Sequence, residues 1–100
     1  METGVLSLQE ITQCVTPLAK KYKIAEVYVF GSYARNEATS ESDVDFLVFG
    51  GKDFKLTSIF AFAEDIRNTI QKDVDVYEIH EINVDSPFYK RIMKERVLLA

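Results

Sequence analysis

Apolar residues at Leu8, Ile11, Val15 and Leu18 recur every three or four positions, which predicts an amphipathic helix. Ser7-Leu8-Gln9-Glu10 ahead of it forms a capping-box pattern, and Lys20, Lys21 and Lys23 suit its C-terminal end. Pro17 falls inside the stripe and predicts a kink or an early break. Val27-Tyr28-Val29-Phe30 is apolar on both faces and reads as a buried central strand ending at Gly31-Ser32. A short helical turn follows over 32–36, then a polar loop to Ser42. Residues 43–49, Asp-Val-Asp-Phe-Leu-Val-Phe, make a second strand closed by Gly50-Gly51. Ile59, Phe62, Ala63, Ile66 and Ile70 return to helical spacing. Residues 73–79 alternate with period two, giving a third strand with one polar face. Asp85-Ser86-Pro87 opens a closing helix whose stripe is Phe88, Ile92 and Val97 or Leu98.

Helices interleaved with strands in this order predict an α/β (α+β) fold, with helices packed on a small mixed β-sheet. One hundred residues give one domain, 1–100, without repeats or linkers. The apolar share of 47% is ample for a core, so a disordered chain is excluded. A net charge of −4 argues against a domain whose main task is neutralising nucleic-acid phosphate, so no direct nucleic-acid partner is expected. The single cysteine, Cys14, excludes an internal disulfide and any multi-cysteine metal site, and reads as a small packing residue. Apolar runs fall far short of a membrane span, and Glu2 and the 7–10 stretch interrupt any apolar leader. A cytoplasmic protein is the expectation.

Two features carry chemistry. Asp43 and Asp45 lie two apart at the start of a strand, so their carboxylates project side by side from one face. Like charges that close are costly unless a cation sits between them, and magnesium takes carboxylate oxygens together with substrate phosphates. Gly31-Ser32 ends the preceding strand, where glycine admits close backbone approach and the serine hydroxyl can bind an anion. Taken singly, solvated strand-end acids and a capped turn are the better explanation of each feature. Taken together they form Gly-Ser-x(10)-Asp-x-Asp, a chance match at roughly one in a thousand in so short a chain. A third carboxylate, Asp75 or its neighbour Asp73, reaches the same face if the two strands are neighbours.

The segment GSYARNEATSESDVDFLVF resembles the signature of the polymerase-β-like nucleotidyltransferases. More narrowly, the chain resembles the minimal nucleotidyltransferases, antitoxin partners of HEPN-domain HepT toxins, and the likeness extends over nearly its whole length. The resemblance implies that Asp43 and Asp45 bind catalytic magnesium, with two ions expected. It also implies that Asp75 is the third carboxylate and that Gly31 and Ser32 hold the triphosphate of ATP. Asp75 is preferred to Asp73 because Val74 and Val76 set it inside the apolar strand. Arg35, one helical turn past Ser32, is a further phosphate contact or an exposed surface residue. The family's last helix often ends near an aromatic residue, whereas this chain ends Val97-Leu98-Leu99-Ala100, a departure that touches packing or partner contacts.

By the same resemblance the reaction is transfer of AMP from ATP to a tyrosine of a HepT-like ribonuclease, held in a hetero-oligomer and thereby neutralised. So short a chain leaves no residues for an acceptor-binding domain, which suits a partner that brings its own hydroxyl. The alternatives are an antitoxin that acts by occlusion alone, or a nucleotidyltransferase subunit for a small-molecule or tRNA acceptor. Lys90, Arg91, Lys94 and Arg96 give the last helix a basic face, solvated or turned toward a partner. His80 reads as a strand-end surface residue, and the five tyrosines as half-buried packing groups.

Overall fold

A computed structural model of the chain describes residues 4–100; Glu2 lies outside them. The first helix, α1, runs Leu8–Lys21 and carries the expected capping box: the Ser7 hydroxyl accepts from the Glu10 amide at 3.0 Å, and Glu10 returns to the Ser7 amide at 2.8 Å. Contrary to expectation, α1 does not break at Pro17 but continues for a further turn. The apolar face supplies the reason, because Ile11, Val15 and Ala19 are all buried on either side of the proline and tether both halves to the sheet.

The strands are β1 (Glu26–Phe30), β2 (Val44–Phe49), β3 (Val74–Glu78) and β4 (Val97–Leu98), in the spatial order β3-β2-β1-β4. β1 runs antiparallel to β2 and to β4, whereas β2 and β3 are parallel. The parallel pair needs a crossover, provided by helix α2 (Ser58–Ile70). β1, expected to be a buried central strand, is covered on two sides, and so is β2. Val27, Val29, Val44, Phe46 and Val48 face α1 and α2, packed with Ile11, Val15, Phe62 and Ile66. Phe30 and Leu47 face the opposite way, toward Ile92 of helix α3 (Pro87–Glu95). The sheet is thus the middle of three layers.

Val97 and Leu98 do not extend the closing helix. α3 stops at Glu95, Arg96 turns extended, and the last residues pair with β1, where the Val27 amide donates to the Ala100 carbonyl at 2.9 Å. Without that strand the backbone groups on this side of β1 would be left unpaired next to the core, so the ladder outcompetes the helix.

Candidate active site

Period-two alternation decides where the acids go. Val44 and Phe46 are driven into the α1/α2 layer, so Asp45 between them must point to the α3 side. On β3, Val74 and Val76 pack toward that same layer, which sends Asp75 to the α3 side as well. The parallel register sets Asp45 directly opposite Asp75. Asp43, two residues before Asp45 and just ahead of β2, is exposed at the strand entrance.

The carboxyl of Asp45 is half-buried, and its pKa is pushed up to about 6. Burial is the main cause, followed by the charges of Asp75 and Asp43 and a hydrogen bond with Asp75, while Arg35 acts weakly in the other direction. Asp73 is absent from these influences; it lines an adjoining polar hollow with Lys72 and Arg67. Among the described residues no three His, Cys, Asp or Glu side chains form a ready-made metal cage.

Opposite the acids stands the turn after β1. Gly31 has φ +75°, left-handed backbone that favours glycine, and a Cβ there would collide with the Asp45 carboxylate. The expected helical turn is present: the Arg35 amide donates to the Gly31 carbonyl at 3.1 Å, and the Glu37 amide to that of Ser32 at 2.9 Å. The Ser32 hydroxyl borders a hollow of about 370 Å³ shared with Gly31, Arg35, Asp43 and Asp45, and it has no hydrogen-bond partner among the described residues. The Arg35 guanidinium is anchored by Glu37 at 3.0 Å and Glu95 at 3.2 Å.

The same hollow has walls that the motif does not reveal. Tyr77 follows Asp75 by two and shares its face; burial first, then Asp75 and Asp45, raise its hydroxyl pKa. Phe30, Tyr77 and Phe88 form an aromatic cluster with centroid separations of 5.4–5.9 Å. Arg91 from α3, exposed, also lines it and lies over Phe88 at 5.7 Å, so one member of the basic face borders the site. The signal for Tyr77 was available, since period two from Asp75 lands on it; that for Phe88 and Arg91 lay in how α3 docks.

Residues 13–100 match the family model described as polymerase beta, nucleotidyltransferase. The chain belongs to that family. This nucleotidyltransferase is 32% identical over 93 residues to a Methanocaldococcus jannaschii protein that bears the provisional name protein adenylyltransferase MJ0435, spanning 92% of the chain and 97% of the relative. It is 40% identical over 66 residues to protein adenylyltransferase MntA of Thermococcus cleftensis, covering 61% and 63% of the two. The fold also matches a chain from the structure of a tri-AMPylated Shewanella oneidensis HEPN toxin in complex with MNT antitoxin, with TM-score 0.69, 17% identity, and 93% and 71% of the chains covered. The small mixed sheet carrying three helices is therefore the nucleotidyltransferase fold.

The order of the three long helices and the first three strands, the buried β1, the neighbouring acid strands and the family are as the sequence predicts; the final strand β4 is not. His80 lies exposed just past β3, as expected, but its ring and amide bond the buried Glu78 carboxylate at 3.0 and 2.7 Å. Although burial opposes ionisation of Glu78, those contacts and the Gly50 amide hold its pKa below the ordinary range. Tyr33 is fully buried rather than half-buried, its hydroxyl accepting from the Leu6 amide. Among the described residues no helix is long and apolar enough to cross a membrane.

Proposed function

We propose that residues 1–100 act as one minimal unit, the antitoxin of a toxin–antitoxin pair. It transfers AMP from ATP to a tyrosine hydroxyl of a HepT-like HEPN ribonuclease in the cytoplasm and so neutralises it. Family membership, the adenylyltransferase names of the relatives and the HEPN-bound structural neighbour support the reading. The observation that carries it is the register of β2 on β3, which sets Asp75 opposite Asp45, while Asp45 and Asp43 line one hollow with Gly31 and Ser32.

These residues fit magnesium. All three donors are hard carboxylate oxygens, and the crowding that raises Asp45 is the imbalance a divalent cation relieves. Asp43, Asp45 and Asp75 would hold two ions, which when bound neutralise charge on the triphosphate and acidify the acceptor hydroxyl. The chain's own groups do the rest. Gly31 permits phosphate to approach the backbone, the Ser32 hydroxyl donates to it, and Arg35 supplies positive charge. Asp75, exposed at the sheet edge, accepts the proton as the tyrosine oxygen bonds to the α-phosphorus and pyrophosphate leaves.

The test is mass spectrometry of the toxin after incubation with this chain, ATP and magnesium. The toxin should gain one or more AMP units. Asp43→Asn and Asp45→Asn should each slow that gain at least about a hundredfold while leaving the fold intact. Normal transfer by either variant would remove the metal assignment.

A further inference from the structure

The proposed phosphate cradle is not open: a carboxylate of the chain itself sits in it. Glu95, the last residue of α3, accepts the Gly31 amide at 2.6 Å. Both of its oxygens also lie 3.2 Å from the Arg35 guanidinium. Its side chain is only 13% exposed. An amide and a guanidinium converging on two oxygens is the arrangement that binds phosphate. Glu95 is not there by accident of a flexible side chain. β4 pairs with β1 so that Val97 stands opposite Val29, and that antiparallel register carried two residues further sets 95 opposite 31.

We infer that Glu95 is an internal stand-in for phosphate, and that a nucleotide must displace it from Gly31 and Arg35 in order to bind. The inference rests on the nucleotide reading of this hollow. Charge requires the displacement, because Asp43 and Asp45 already line the same hollow and a triphosphate would add several more negative charges against Glu95. The cradle survives it. Arg35 keeps its second partner, Glu37 at 3.0 Å, and stays aimed at the site after Glu95 leaves. Glu95 therefore sets the affinity for the nucleotide, holding it weaker than the cradle alone would give, and keeps the cradle formed when no nucleotide is present.

The experiment is calorimetric titration of wild type and Glu95→Gln with two probes, magnesium with a non-hydrolysable ATP analogue, and inorganic tripolyphosphate. Glu95→Gln keeps the size of the side chain and removes its charge. It should bind both probes about tenfold more tightly, the worth of one charge-assisted contact no longer competed away. Equal or weaker binding by Glu95→Gln, with wild type still binding, overturns the inference alone, since a residue that merely supports the cradle would weaken binding when changed. Failure of both proteins to bind either probe overturns the nucleotide reading with it. A measurement on the unmodified protein needs no variant. As tripolyphosphate is added, the Gly31 amide and the Glu95 side-chain carboxyl carbon should shift together by NMR. A Glu95 signal that stays fixed while Gly31 moves overturns displacement.

Discussion

At the single residue, the strongest leverage lies in Asp45. Its folded pKa of about 6 stands above the ordinary 3.8, so the folded chain holds that proton more tightly than the unfolded one. Stability from this group is therefore fully present below about 4 and is lost as pH rises through 6. Asp45→Asn should then stabilise the free protein at pH 7, with no gain at pH 4. The full shift would be worth about 3 kcal/mol, but the group is only partly buried, so about 1–2 kcal/mol is expected. Thermal melts at the two pH values would show a rise of about 4–8 °C per kcal/mol at pH 7 alone; the same rise at both would mean that packing, not charge, is responsible. Gly31 is the second sensitive position. Gly31→Ala must adopt a left-handed backbone costing about 1–2 kcal/mol and push the Asp45 carboxylate aside, so it should lose at least that much in chemical denaturation. A neutral Gly31→Ala would show that the close approach to Asp45 is not maintained.

At the scale of elements, the site depends on packing far from it. Phe62 of α2 is completely buried and meets Phe46 of β2 edge-on, with ring centroids 6.4 Å apart. Phe62→Ala should cost about 3–5 kcal/mol and loosen the crossover that holds β3 on β2; urea unfolding that moves by less than about 1 kcal/mol would place the crossover's stability elsewhere. The elements were legible where one strong pattern spoke without a rival. Ser7–Glu10, the apolar run 27–30 and Ser86-Pro87 each have a single good structural solution, and the acids were legible because alternation puts 43 and 45 on one face and sets 75 between two apolar valines of its own strand. Two features were not legible, and for one physical reason. Pro17 in mid-helix and Val97-Leu98 after it obey contacts distant in sequence: burial against the sheet in the first case, an unpaired edge of β1 in the second. Local propensity assigned the chain's end to a helix, and so hid that Glu95 lies across from Gly31. The aromatic wall of Phe30, Tyr77 and Phe88 was hidden likewise, because three separate elements contribute to it.

For the whole molecule, nucleotide and metal should act on stability as well as on chemistry. A ligand that binds only the folded chain stabilises it by about 2.7 kcal/mol at a hundred times its dissociation constant. An ATP analogue with magnesium should raise the melting temperature, and a chelator should cancel most of that gain. A rise that survives chelation would mean the acids do not hold metal. In cells, a chain carrying both Asp43→Asn and Asp45→Asn should no longer protect against the toxin; full protection would favour occlusion over transfer. The parallel pairing of β2 with β3 has one more consequence. Asp45 and Asp75 are thirty residues apart and meet only after the intervening helix has closed over the sheet, a step that is intrinsically late among folding events. A half-finished or nicked polypeptide can already possess its first hairpin and its glycine turn, yet it lacks the pairing of Asp45 with Asp75 that the proposed transfer requires. On the proposed function, competence thus comes only to molecules whose far edge strand, β3, has docked.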